Sequence, residues 1–446
     1  MNFPTFYTLF SSMIIKRFML IMISIVIHIV VRLWEHGRYS QFTTDGQNFI
    51  KKYLTTADMW RNDFIVVMNV GNNDSKVNHS DITLASQCSV NNLHHLPELV
   101  ARWNGPASVA VFAPHSDFVK AILGIHWLEK CFPKTFIKTN FHLVYPLEHP
   151  PFFEDRELPV ILKDMVSKSA PERKKDSYCT KAMDALKSFK GGNYVLKGHQ
   201  YPHNTLRNVA ISGIESDFVF LVDVDTFPAI YARSQFQEFL KLDEYRTQFL
   251  NTKTAFVVPA FEVDENVIPT TKTKLIQEYK KGNVRPFHSE TCKNCHEPTR
   301  FSDWIAIPEK HDLIVAYEAE WKESWEPFYI THKSHIPLYD ERFRQYGFDR
   351  ISQVCELFVS GYKFIVMNNI FVVHQGFKRP HEFHSSKNLE NKRNFKIYIE
   401  EFIPDLAKKY PSANRTCTDG GKRKGIAKSK FRPHFKIIAE KKATEL

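Results

Sequence analysis

Two aspartates separated by a single residue, Asp223 and Asp225, follow directly on the apolar run Phe218 to Val222, and Pro228 ends the pattern soon after. A short continuous apolar run closed by a breaker reads as a strand of a sheet covered on both faces. Side chains alternate along a strand, so the two carboxylates point one way and Val224 the other. Carboxylates that converge repel unless a cation lies between them. A hard divalent ion with room for phosphate oxygens is the natural partner. Such an ion offsets the charge of a departing nucleotide diphosphate, which makes the pair a candidate centre for metal-assisted group transfer. A solvated strand end would carry the same short pattern, so the buried strand before it is what gives the reading weight. A second cluster, His288, Cys292, Cys295 and His296, has the residue types of a zinc site. In an oxidising compartment, however, a C-x-x-C is more often oxidised or paired elsewhere than metallated.

The elements that must position Asp223 and Asp225 are legible on both sides of them. Ile82 to Cys88 is strand-like, Leu93, Leu96, Leu99, Val100 and Trp103 recur at helical spacing, Gly105-Pro106 stops that helix, and Ser108 to Ala113 is again strand-like. A helical stretch from Phe118 to Cys131 leads to the apolar strand Phe141 to Tyr145, and Asn204 to Ile214 predicts the helix that precedes the Phe218 strand. This alternation predicts an α/β fold, a Rossmann-like mixed but mainly parallel sheet covered by helices, with its ligand at the carboxyl ends of the strands. Phe364 to Val373 is also apolar and strand-like apart from Asn368 and Asn369, and it delivers His374 at its end.

Outside the body, Lys16-Arg17 precede the apolar run Phe18 to Val31, and Arg32, Glu35, His36 and Arg38 restore polarity. The pattern predicts a cytosolic tail over 1–17, a membrane signal anchor over 18–34 and a luminal remainder, with the basic pair on the cytosolic side. A run this short suits the thin membranes of the early secretory route, and a cleaved signal peptide is the competing reading. Residues 35–77 read as a stem, 78–421 as the catalytic body and 422–446 as a basic tail. The formal charge is +11, but the tail holds nine Lys/Arg against two Asp/Glu, so the body is close to balanced. That distribution argues against a nucleic-acid-binding face. Sequons at Asn73, Asn78 and Asn414, and seven cysteines that permit up to three disulfides with one left over, agree with a luminal body.

Several long segments in the same order resemble glycosyltransferase family 49: TLASQC from Thr83, LPELVARWNGPASVAVFAP from Leu96, YPHNTLRNVA from Tyr201, FVFLVDVDTFP from Phe218, VVPAFE from Val257, Cys292 to Trp304, WEPF from Trp325, YDERFRQYGF from Tyr339 and HQGFK from His374. The resemblance covers most of the chain after the stem. It implies a GT-A-like fold, inverting chemistry, and a manganese ion held by Asp223, Asp225 and His374, with magnesium as the alternative ion. An imidazole beside two carboxylates independently favours manganese. The implied reaction moves glucuronate from a UDP-sugar to a xylose-terminated glycan of the O-mannosyl type, in a Golgi type II membrane protein. Association with a second copy or with other transferases is compatible with it. An inverting transfer needs one carboxylate base, for which Asp340, Glu341, Asp349 and Glu356 are the candidates. Relatives carry non-acidic residues at the positions matching Glu341 and Asp349, and Glu356 sits in a helical stretch, which leaves Asp340. Arg207 and Lys378 are placed to meet the diphosphate or a glucuronate carboxylate, with Asp223 also facing the donor, and Thr83 and Gln87 match uridine contacts of the family. Two alternatives stay open: N-acetylglucosaminyl transfer to a lactosamine-type acceptor, and an inactive glycan-binding or scaffold protein.

Overall fold

Among the described residues, fourteen strands and their covering helices make up the body. The computed structural model describes residues 59–71, 78–151, 175–189, 194, 198–243, 249, 252–379 and 385–418. The strands are β1 (Met59–Arg61), β2 (Phe64–Val70), β3 (Ile82–Ser89), β4 (Ala107–Phe112), β5 (Thr139–Pro146), β6 (Phe218–Leu221), β7 (Thr226–Pro228), β8 (Thr254–Val258), β9 (Ala260–Val263), β10 (Val284–Pro286), β11 (Val315–Ala319), β12 (Phe328–His332), β13 (Lys363–Met367) and β14 (Val372–Gln375). The large sheet runs β1-β2-β5-β4-β3-β6-β12-β8-β13-β11, and a small one runs β10-β9-β14-β7. Within the large sheet only its centre, β5-β4-β3-β6, and the β8-β13 pair are parallel, and in the small sheet β14 is parallel to β9. The expectation of a mainly parallel sheet therefore holds for the first half of the chain and gives way to antiparallel pairing on either side.

Among the helices, α1 (Leu96–Trp103) and α2 (Asp117–Cys131) are the predicted crossovers, and α3 (Lys175–Ser188) is tied to α2 by the Cys131–Cys179 disulfide. Helix α4 (His203–Ser212) lies on the large sheet with Leu206, Val209, Ala210 and Ile211 packed among Ala85, Phe112, Val219 and Leu221. Burying each of the larger side chains contributes about 1.5–3 kcal/mol, so α4 and the strand that ends at the aspartates form one rigid block. The helix ends at Gly213, where a Cβ would run into the buried His142 imidazole. Helix α5 (Asp349–Val359) starts after Phe348, whose backbone is left-handed (φ 62°), and the Cys355–Cys417 disulfide pins it to the C-terminal end of the described chain. The cysteine left over is Cys88, buried in β3, where burial pushes its thiol well above the usual range.

Two sequence readings change here. Regular structure begins before residue 78, because β1 and β2 lie inside the stretch read as stem and β2 pairs with β5. The apolar stretch before His374 is two strands, β13 in the large sheet and β14 in the small one, with Asn368 and the left-handed Asn369 (φ 50°) at the break. Their amides are consumed there: Asn368 donates to the Pro308 carbonyl at 3.0 Å and Asn369 to that of Lys310 at 2.9 Å. The expected anchor at 18–34, the cytosolic tail and the basic tail lie outside the described residues. Among the described residues no helix is long and apolar enough to cross a membrane.

Candidate active site

The small sheet brings together residues far apart in the chain. Strand β14 pairs antiparallel with β7, with His374 opposite Thr226, and parallel with β9, with His374 opposite Glu262. His374 thereby lands beside Asp225, its Nε2 lying 3.3 Å from a carboxylate oxygen. Burial opposes the charge on Asp225, but the His374 hydrogen bond and charge, with Lys378, hold its carboxyl well below the usual range. The strand stops earlier than expected, at Leu221, and Val224 and Asp225 lie in the turn that follows, with Val224 buried and the side chains of Asp223 and Asp225 30% and 44% exposed. The carboxylate of Asp223 turns to Arg350, whose Nη2 lies 2.9 Å from both of its oxygens, and Arg207 approaches to 3.7 Å. Asp225 and His374 are thus an open carboxylate–imidazole pair, while Asp223 is held by guanidinium groups at its side.

Asp223, Asp225, Arg207 and Arg350 edge a cleft of about 540 Å³ that also takes in Gln87, Glu326, Asp349 and Lys378, while His374 lines the adjoining cavity with Lys378. Arg207 is buried between Asp349, at 2.6 Å, and Asp223. Burial resists its charge, but the two carboxylates outweigh burial and raise its pKa. Asp349 behaves reciprocally, burial opposing ionisation while Arg207, His203 and Arg350 bring its carboxyl down to about 2. Lys378 is fixed by its backbone, whose N–H donates to buried Glu262 at 3.2 Å, and its Nζ lies 4.7 Å from the centre of the Phe287 ring. Gln87 accepts from the Tyr201 hydroxyl at 2.5 Å on the cleft wall. Thr83 is elsewhere: it is buried, shares a 2.6 Å hydrogen bond with Ser216, and does not line the cleft.

The acidic candidates separate cleanly. Asp340 is gripped by Arg342, with contacts of 2.6 to 3.1 Å to its two oxygens, and lines a different cavity together with Asn62, Asp63 and Leu338. Arg342, two residues on, thus holds it away from the cleft. Glu341 accepts from Arg61, Asn62, Thr205 and Asn208, and Glu356 from Lys409 and Tyr410, so both are structural. Exchanging Asp340 for Asn is expected to cost at most about 1 kcal/mol of stability and to leave the transfer rate within about threefold of wild type. A steady-state comparison of kcat checks this, and a hundredfold loss would restore Asp340 as the base.

The carboxylate missed by sequence reasoning is Glu326. It lies in the WEPF segment just ahead of β12, and β12 runs antiparallel to β6 with Ile330 opposite Phe220. Beyond the end of that pairing, Glu326 and Val224 line the same cleft. Its carboxyl takes no hydrogen bond from any described residue, and burial, reinforced by the negative charge of Asp349 and opposed by Arg350 and Arg207, pushes it up to about 7. A carboxyl poised near neutrality at the wall of a cleft is equipped for proton transfer. Arg350, which clamps Asp223 and lies 4.2 Å from the Phe328 ring centre, was missed as well.

The candidate zinc cluster resolves differently. Cys292 and Cys295 are joined in a disulfide, which removes both thiolates, and His288 and His296 are kept neutral mainly by burial, at about 2 and about 3. Of the sequons, Asn78 and Asn414 are exposed, and Asn73 lies outside the described residues.

With this geometry in hand, comparison with known proteins is decisive. The family model described as "Glycosyl-transferase for dystroglycan" matches residues 81–411. The chain belongs to this glycosyltransferase family. Beta-1,4-glucuronyltransferase 1 of Danio rerio is 38% identical over 388 residues, covering 86% of this chain and 86% of that protein. The protein of the same name from Homo sapiens is 38% identical over 343 residues, covering 76% and 78%. Xylosyl- and glucuronyltransferase LARGE1 of Homo sapiens is 25% identical over 338 residues, 74% of this chain but 36% of that protein. As a glycosyltransferase the chain has to hold a nucleotide-sugar donor and a glycan acceptor together. The matched span contains Asp223, Asp225, Glu326 and His374.

Proposed function

We propose that this transferase moves glucuronate from UDP-glucuronate to a xylose-terminated glycan, with inversion, as the luminal body of a Golgi type II membrane protein. The observation that carries the reading is Asp225 set against His374 at a cleft edged by Lys378 and two arginines, in a chain whose relatives bear glucuronyltransferase names. Parallel strands that deliver their ligands at the carboxyl edge are what a GT-A arrangement requires.

A carboxylate and an imidazole form a donor set that suits manganese better than magnesium, with Asp225 and His374 as ligands and Asp223 as the third. Such an ion supplies Lewis-acid neutralisation of the diphosphate. The remaining chemistry belongs to the side chains. Arg350, Arg207 and Lys378 present positive charge to the diphosphate and to the glucuronate carboxylate, the arginines through planar forks that match both groups. UDP-sugars are α-linked, so a β-linked product needs attack from the opposite face and one base to take the acceptor proton. Glu326 fills that role: its carboxylate accepts the hydroxyl proton as the oxygen bonds to the anomeric carbon and UDP departs.

The test is to incubate the purified full-length chain with manganese, a panel of UDP-sugars, and xyloside or lactosamine acceptors. Transfer from UDP-glucuronate to the xyloside is expected. Transfer from UDP-N-acetylglucosamine alone overturns the donor assignment, and no turnover with any donor makes the chain a glycan-binding protein.

A further inference from the structure

Three histidines that the transfer chemistry does not use meet at the edge of the large sheet where its parallel strands end. His115 follows β4, His149 follows β5, and His199 lies in the segment leading into α4. Strands β4 and β5 are parallel neighbours with Phe112 opposite Val144, so the residues beyond their ends emerge side by side. The backbone N–H of His115 donates to the His149 carbonyl at 3.3 Å, and that of His199 donates to Tyr194 at 2.8 Å. One ligand atom from each imidazole lies within 4.8 Å of the other two, and among the described residues this is the group of three so placed. The ring centres are 3.9 Å apart for His149 and His199, 4.7 Å for His115 and His149, and 5.4 Å for His115 and His199.

We propose that His115, His149 and His199 form a binding site for a zinc-class transition-metal ion, separate from the Asp225 and His374 pair. Imidazole-only donor sets select zinc, cobalt, nickel or copper over the oxygen-seeking magnesium, calcium and manganese. At metal–nitrogen bonds of about 2.0–2.1 Å, a tetrahedral ion sets its ligand nitrogens about 3.4 Å apart, which modest side-chain rotations reach from the observed spacing. His199 is buried and the other two are partly so, which excludes most solvent from the site while leaving the fourth position open to water. His115 sustains a left-handed backbone (φ 53°), a conformation that costs a residue other than glycine and persists where a side chain has to be aimed.

The ion would clip three separate segments at the cleft's margin. The His199 carbonyl accepts from Gln345 Nε2 at 3.0 Å, and Gln345, Tyr194 and Tyr201 all line the cleft. The site therefore braces the wall of the donor cleft without touching the reacting groups, and metal binding there does not depend on which sugar is transferred.

The experiment uses the full-length chain carrying Asp225→Asn, stripped with chelator and titrated with zinc or cobalt(II). One equivalent of zinc and the intense visible absorption of four-coordinate cobalt are expected. His149→Ala, and separately His115→Asn, which tolerates the left-handed backbone, are each expected to weaken zinc at least about 100-fold. Exposed His311→Ala is expected to leave it unchanged. Circular dichroism checks that each variant folds. Zinc uptake that is absent from the parent, or equal in all variants, overturns the site, as does a weak six-coordinate cobalt spectrum. None of these readouts requires transferase activity, so failure here is distinct from failure of the proposed reaction.

Discussion

Asp225→Asn is expected to lower transfer by about a thousandfold while the protein stays folded. The amide is the same size as the carboxylate but brings no charge to the cleft and is a poor ligand for a divalent ion. Stabilising the leaving diphosphate by Lewis-acid contact contributes several kcal/mol, and about 4 kcal/mol corresponds to that loss. The structural cost is small because the Asp225 side chain is 44% exposed and its partner is a single histidine at 3.3 Å. A pair of that exposure contributes at most about 1 kcal/mol. His374→Ala should reproduce the loss, because β14 pairs with β7 and places the two residues as one unit. Turnover measured against manganese concentration, alongside thermal melts, provides the check. Undiminished manganese-dependent turnover in folded Asp225→Asn would remove the metal assignment.

Glu326→Gln is expected to lower kcat by about 100- to 10,000-fold with a smaller change in donor KM, the contribution typical of a general base. The pH profile carries the more specific signature. The Glu326 carboxyl titrates near 7, so wild-type transfer should rise as pH increases through that value and the base ionises. The variant should lose that limb. The stability sign is opposite. Because the folded pKa is raised, the protonated carboxyl contributes stability that is fully present below its unfolded value of about 4.3 and is lost as pH rises through 7. At pH 8 the neutral Gln variant should therefore be at least as stable as wild type while being far slower. A variant that keeps the acid limb, or wild-type activity flat from pH 6 to 8, roughly one unit either side of the carboxyl's pKa, would exclude Glu326 as the base.

The helix–strand alternation from Ile82 to Tyr145 was legible because each element carries its own periodicity and breaker, and the structure reproduces it within a residue or two. So was the apolar strand that ends at the aspartates. The hairpin of β1 and β2 was hidden by the polar turn at Asn62 and Asp63 and by the shortness of β1, which concealed a sheet edge in what read as stem. Glu326 was hidden for a different reason. It shares a cleft with the aspartates because β12 pairs with β6, and pairing between distant strands leaves no local pattern. Asp340 was reached by setting the other acidic candidates aside, and elimination does not reveal that Arg342, two residues on, grips both of its oxygens. His374 could be placed from resemblance, yet the reason it works as a neighbour of Asp225 is the break at Asn368 and Asn369, which moves the chain from one sheet to the other.

Strands β7 and β14 pair although well over a hundred residues of chain separate them. During synthesis at about 5–20 residues per second, the ribosome adds His374 roughly 7–30 s after Asp225, and until then Asp225 lacks its imidazole neighbour. A nascent or prematurely terminated chain can fold its first crossover units and still be unable to act on donor. If His374 holds the metal as proposed, the transferase becomes competent only when β14 has inserted between β7 and β9, and catalytic activity then reports that the whole body has assembled.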